Sequence, residues 1–387
     1  MRPALPAVAK PDDAWSSWRM TQRLPPSLTP LDTALAALLR GVDPVAPMEV
    51  PLADAIGCIA AGAPLLAAYP SRDVAAVDGW ALSANDLVGA SAYSPVPLAM
   101  APAWVEAGEA MPAGCDCVLD ADAVETSGPL AQVLAEGAPG QGVRRAGSDI
   151  TARGAVGDAG HPIRAADLLL ARVAGVEKLA VRRPRLRIVN VPGGTVTAYM
   201  IAGIAHTAGL DVETRPARAR DAASISDVLD ASSCDVLLTI GGSGVGCQDA
   251  AVTALTRRGE VMAHGLALQP GRTAAVGRLG RVPVVALPGS PDSALAAWLA
   301  LALPLADRLS ARRPRRKVSL PLARKIASSV GITEIALLAE EHRAWMPLAV
   351  GEWPLQAIAR ADAWLLISAS DEGFAAGTPI DAYLMRA

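Results

Sequence analysis

The chain has 387 residues, of which 52% are hydrophobic and 19% charged, a balance that excludes a disordered polymer and leaves room for two to four folded domains. A formal net charge of -3 excludes a nucleic-acid binder working through a bulk basic field. Any anion this protein holds must therefore be held by local geometry.

Residues 1 to 27 form a loose leader with prolines, two tryptophans and no sustained period. Lys10, Asp12 and Asp13 stand there without an apolar stretch, so no signal peptide is visible. Thr29-Pro30-Leu31-Asp32 is a helix start, and Leu31, Leu35, Leu38 and Leu39 form an apolar stripe closed by Gly41. A second helical pattern runs from Leu52 to Ala60. From Leu65 to Gly147 the chain breaks into short segments punctuated by Pro and Gly, the mark of a small, mostly β insertion. Its uncharged run Leu87 to Val105 contains Pro95, Pro97 and Pro102 and cannot be a membrane helix. A helix from Ile163 to Ala174 closes this half. The expected units are a helical linker domain (28–64 and 148–183) holding the β insertion (65–147).

From 184 to 311 strands and helices alternate, the signature of a parallel sheet with crossover helices. Strands are expected at Leu186–Val191, Leu210–Thr214, Val236–Ile240 and Val282–Leu287, with helices through His206 and over Ser224–Leu229. The centre is Val236–Ile240, a branched apolar run, followed by Gly241, Gly242, Ser243, Gly244 and Gly246, with Asp249 at the start of a helix. Glycines allow backbone N–H groups to approach a ligand, and a helix N-terminus adds partial positive charge. Asp249 has two readings: a helix cap, or a carboxylate that holds a metal beside a bound anion. Two more such strands end in glycine-bearing turns, Pro192-Gly193-Gly194 and Pro288-Gly289-Ser290. Ligands of open parallel sheets bind outside the carboxyl ends of the strands, so three convergent loops mark a site.

The apolar run Ala294 to Ala306 is interrupted by Pro304 and too short to span a bilayer, so it is expected as a buried helix. Arg312 to Lys317 is a basic, solvated linker, and 312–387 forms a small β-rich terminal domain. The five cysteines contain no CxxC pair and the four histidines are scattered singly. That pattern argues against a zinc site or disulfide framework and for a cytoplasmic location. Cys247, inside the glycine loop, is a small residue filling a small space. The fold class is α/β and multi-domain: a central three-layer α/β domain with a mostly parallel sheet, a helical/β N-terminal part with its β insertion, and the β-rich C-terminal domain.

In order, Val77-Asp78-Gly79-Trp80-Ala81, Pro112 to Val118, Arg144-Arg145-Ala146-Gly147-Ser148-Asp149-Ile150, Gly241 to Asp249 and Leu287-Pro288-Gly289-Ser290-Pro291 resemble five motifs of the molybdopterin molybdenumtransferase family, the molybdate insertases related to the E domain of gephyrin. The resemblance covers the chain from Leu31 onward. It implies an elongated homodimer that binds adenylylated molybdopterin and molybdate with Mg²⁺ and releases AMP. It assigns catalytic positions to Asp78, Asp149 and Asp249, and metal positions to Asp249 and Asp221. Cofactor binding falls to Gly241, Gly242, Ser243, Gly244, Gly246, Arg272, Pro288, Gly289 and Ser290, with Asp78 of one subunit facing Asp249 of the other. A molybdopterin adenylyltransferase and a client molybdoenzyme are the protein partners implied; no nucleic acid and no membrane are.

The chain also departs from the family. Val191-Pro192-Gly193-Gly194-Thr195 stands where the family has Thr-Gly-Asp-Glu-Leu, and Gln269-Pro270-Gly271-Arg272-Thr273 where it has Lys-Pro-Gly-Lys-Pro. Two acids are lost from the first loop, and in the second both lysines are replaced, one by Gln269 and one by Arg272, which keeps a cation. Three readings follow: an insertase, a lapsed homologue that carries molybdopterin or the finished cofactor, and a nucleotide binder that kept only the sheet. The motifs disfavour the third.

Overall fold

The structure is a computed structural model that describes residues 22–385 apart from Ala63, Gly128 and Pro129. Most of the expected leader, residues 1–21, lies outside the described residues.

The central domain contains β1 (Arg185–Asn190), α1 (Thr195–Thr207), β2 (Asp211–Pro216), α2 (Ala222–Val228), β3 (Val236–Ile240), α3 (Ala251–Arg258), β4 (Glu260–His264), β5 (Ala275–Leu279), β6 (Val282–Leu287) and α4, which starts at Pro291. The sheet order is β2-β1-β3-β6-β5-β4. The first four strands are mutually parallel and β5 and β4 add an antiparallel edge. Every side chain of β3 is buried, which is why that strand carries no polar alternation. Successive residues divide between two faces. Ile188, Leu238 and Val285 pack with α1, α4 and the N-terminal helix Leu31–Leu39. Val189, Leu237 and Val284 pack with α2 and α3. Three layers result, as the alternation of strands and helices requires.

Helix α4 is apolar on all sides because it is covered on all sides: Ala294 through Leu303 are buried between the central sheet and the C-terminal domain. Pro304 does not end it. A π turn at Trp298–Ala302 precedes the proline and the helix continues to Leu309. Such a turn accommodates the missing donor by shifting the local hydrogen-bond ladder. Among the described residues no helix is long and apolar enough to cross a membrane.

Three expectations change. The pattern over Leu52–Ala60 is one 3₁₀ turn, Leu52–Asp54, and a strand at Ile59–Ala60. Leu52, Ala55, Cys58, Ile59 and Ala60 are all buried, but Gly57 sits at φ +78° and turns the chain between them. Gly57 also meets Gly209 of the central domain so closely that a Cβ on Gly209 would lie 2.2 Å from the Gly57 carbonyl oxygen. The Arg312–Lys317 linker is not simply solvated. Arg315 makes two hydrogen bonds to Asp307, at 2.7 and 2.8 Å, and burial pushes the Arg312 guanidinium pKa down. Helix Leu31–Leu39, placed by sequence in the linker domain, packs on the central sheet.

The linker domain pairs Met48–Pro51 and Ile59–Ala60 with Lys178–Arg182 around its own small core. The insertion holds three small sheets, and the C-terminal region forms a six-stranded sheet that borrows Leu268–Gln269 from the central domain.

On β1, Arg187 is 1% exposed and bonds Glu213, the Asp230 carboxylate and carbonyl, and Ser233. Replacing it by Met is expected to cost about 2–4 kcal/mol in urea unfolding, since four acceptors lose their donor. The amide and hydroxyl of Ser232, then Arg187, hold the Asp230 carboxyl down to about 2. Its contribution is therefore present above the unfolded carboxylate pKa, about 4, and is lost as pH falls toward 2. Thermal melts across that interval should show a smaller acid decline in Asp230→Asn than in the wild type.

Candidate functional site: a glycine cradle and an arginine-lined cavity

β1, β3 and β6 lie side by side and parallel, so the three glycine-bearing turns emerge together at one edge. The chain leaves β1 in opposite directions, to β2 and then across to β3, which places a topological switch point at this edge. Gly241 and Gly242 follow β3 with φ of +89° and +73°, a pair of left-handed residues that L side chains rarely adopt. A Cβ on Gly289 would stand 3.4 Å from the Gly241 α-carbon, so two of the loops touch backbone to backbone. Thr197 ties the third into place by donating its hydroxyl to the Gly289 carbonyl at 2.6 Å. Pro288 is buried, whereas Gly289 and Ser290 are exposed at the start of α4.

The loop is braced from below. Ser243 is fully enclosed, with its Oγ lacking a partner, and its carbonyl meets His264 Nε2 at 2.9 Å. Gln22, 8% exposed, donates its amide to the carbonyls of Gly242 (2.9 Å) and Gly244. The end of the leader is therefore part of this loop's support. Ser243 offers its hydroxyl to the interior.

Beside the cradle is a cavity of about 820 Å³ whose lining includes Pro192, Cys247 and Gln248 and three arginines: Arg218, Arg220 and Arg257. Arg218 and Arg220 come from the loop after β2, Arg257 from the last turn of α3. Arg220 donates to the Pro192 carbonyl at 3.0 Å and to Asp249 Oδ1 at 2.8 Å. Asp249 Oδ2 accepts the Gly246 N–H at 3.0 Å. Asp249 is thus the carboxylate that folds the loop and anchors an arginine. The Arg220 guanidinium also fills space beside the first turn, where a Cβ on Gly193 would lie 3.0 Å from its Nη1. Asp221 caps α2: it accepts from the Ser224 amide and hydroxyl, both at 2.8 Å, and those bonds lower its pKa, the amide foremost.

Other sequence-indicated residues lie elsewhere. Arg272 lines a separate cavity of about 490 Å³ with Gln269, Asp292 and Trp353, between the start of α4 and the C-terminal domain. Asp78 accepts the Ala107 N–H at 2.8 Å, and Asp149 pairs with Arg144 at 3.0 Å; both partners belong to the insertion region, beside a third cavity of about 460 Å³. Within the chain, the partners recorded for Asp78 and Asp149 are thus all local to that region. Residues missed from sequence are Gln22, Arg218, Arg220, Arg257 and His264. Arg218 and Arg220 had a visible signal, a basic pair just after a parallel strand; Gln22 had none.

A divalent cation such as Mg²⁺ takes several oxygen ligands. Among the described residues no three His, Cys, Asp or Glu side chains come together as a ligand set. At the cradle, Asp249 is spanned by Arg220 and a backbone amide while Asp221 is engaged as a cap. This donor set does not fit the cation, and it fits an anion: amide donors, a helix start and arginines.

Residues 29–175 match the MoeA N-terminal region (domains I and II), and residues 189–308 match the probable molybdopterin binding domain. Molybdopterin molybdenumtransferase 2 of Mycobacterium tuberculosis is 28% identical over 394 residues, covering 87% of this chain and 95% of that protein. A putative molybdopterin biosynthesis protein of Methanocaldococcus jannaschii is 24% identical, covering 87% of this chain and 92% of that one. The crystal structure of a molybdopterin biosynthesis MoeA protein from Pyrococcus horikoshii shares the fold with a TM-score of 0.67 at 22% identity, covering 92% of this chain and all of that one. With both regions present in series and relatives of this kind matched nearly end to end, the chain belongs to the MoeA-type molybdopterin molybdenumtransferase family.

Proposed function

We propose that this protein is a molybdopterin molybdenumtransferase of molybdenum cofactor biosynthesis, taking adenylylated molybdopterin and molybdate and releasing AMP. The observation that carries the reading is a glycine cradle inside the region matched as a molybdopterin binding domain, in a chain aligned with a named transferase over 95% of that protein's length. The same length of match favours the transferase over the carrier reading. The cradle's amides and Arg220 bind the phosphate-bearing part of the substrate, and Asp249 orients Arg220. No step is routed through Mg²⁺, whose donor set is lacking at the cradle.

The proposed assembly is a homodimer in which Asp78 of one copy faces Asp249 of the other across a shared cleft, as the resemblance to the family implies. A molybdopterin adenylyltransferase as supplier, a client molybdoenzyme as recipient and a cytoplasmic location complete the proposal.

Single-turnover AMP release from adenylylated molybdopterin with molybdate tests the reading. The wild type should release AMP, and Asp249→Asn should slow release by about two orders of magnitude, the cost of a lost charged contact in a transition state. A wild type that binds adenylylated molybdopterin and releases nothing would instead leave the carrier. Gly242→Val should weaken molybdopterin binding and also cost about 1–2 kcal/mol of stability, since its φ is left-handed and its new Cβ would meet Ala251 at 3.4 Å. Light scattering should give twice the chain mass at micromolar concentration; a monomer would remove the shared site.

A further inference from the structure

Gly193 and Gly194 stand after β1 where the resemblance to the family leads one to expect two acids, and three arginines line the cavity at the same edge. We propose that the cavity beside the glycine cradle is a metal-independent site for a phosphate monoester, in which the Arg220 guanidinium carries the positive charge that a divalent cation would otherwise supply. The inference rests on the reading of the cradle as an anion site and goes further by naming how its charge is neutralised.

Four observations carry it. Arg220 is fixed, not free to swing: it spans the Pro192 carbonyl and Asp249, linking the loops after β1 and β3. The space beside Gly193 is already taken by Arg220 Nη1, and Gly193 is at φ +96°, so a carboxylate-bearing residue there would be strained and crowded. At Gly194 a Cβ would face the Ile240 carbonyl at 3.1 Å and Asn190 Oδ1 at 3.2 Å, a wall of oxygen atoms that repels an added carboxylate. Within one chain, among the described residues, Arg218, Arg220 and Arg257 stand around the cavity against Asp221 and Asp249, both acids being held in hydrogen bonds of 2.8 to 3.0 Å. An excess positive charge repels Mg²⁺ and attracts phosphate. Arginine suits the task because its planar fork stays charged and can bond a carboxylate on one edge and phosphate oxygens on another. Arg218 and Arg257 are exposed and, among the described residues, neither side chain is held in an ion pair or hydrogen bond, so both face the cavity as cations.

The test uses the full chain and AMP as probe, titrated calorimetrically in EDTA and again in excess Mg²⁺. The proposal expects the same Kd in both. It expects Arg220→Gln to weaken AMP about tenfold or more, and Arg257→Ala, on the exposed face of α3, to weaken it by a smaller factor. Thermal melting of each variant separates lost binding from lost folding, and Arg257→Ala serves where Arg220→Gln does not fold. Binding that appears only with Mg²⁺, or wild-type affinity in both folded variants, overturns the proposal. The two readings fail differently. AMP binding in EDTA without any AMP release from adenylylated molybdopterin would sink the transferase function and leave this site. Mg²⁺-dependent AMP release from adenylylated molybdopterin, with AMP binding absent in EDTA, would sink this site and leave the function.

Discussion

The structure depends on the close approach of two turns at the carboxyl edge of the central sheet. Gly241 and Gly289 lie so close that a Cβ on either would reach the other's α-carbon, at 3.9 and 3.4 Å, and the left-handed φ of +89° at Gly241 is what calls for glycine there. The contact draws the ends of β3 and β6 together and leaves their amides and the starts of the following helices around one small region. Burial of β3 on both faces fixes where that edge lies, and the two apolar layers hold the strand against any shift in register. The anion binding proposed here starts from backbone geometry, before any side chain contributes.

Side-chain charge then tunes the edge. Asp249 is a carboxylate at the lip of a glycine loop, a position open to a cap or a metal ligand. Its partners decide: the Gly246 amide on one oxygen and Arg220 on the other make it an anchor for a cation that belongs to the protein. The glycine at 193 gives Arg220 the room it occupies. The Arg220 guanidinium fills the space beside Gly193 and keeps the loop packed there.

The surrounding domains serve this edge in different ways. Helix α4 is the shared core of the central and C-terminal regions, so the Pro288–Ser290 turn at its start is fixed from both. The linker meets the central domain through the backbone contact of Gly57 with Gly209. Asp78 in the insertion and Asp149 just past its end have partners in the insertion, Ala107 and Arg144, in a different part of the chain from the glycine cradle.

The sequence by itself determined the strand–glycine–helix order, the three-layer class and the buried nature of α4. Each is a one-dimensional pattern with a local physical cause: unbroken apolar runs, glycine where positive φ is needed, alternating periods. The family motifs were likewise contiguous and readable. The Leu52–Ala60 stretch misled because a one-sided apolar stripe suits a helix or a turn-and-strand equally, and only Gly57, packed against another domain, settles it. What tertiary structure alone decided was partnership. Nothing local tells that Gln22 would reach across 220 positions to brace Gly242, or that Arg220 would bridge Pro192 and Asp249. Nothing local places Arg272 in another cavity, either. Such contacts join residues remote along the chain, and they are set by how sheet order folds the loops together, which no local propensity encodes.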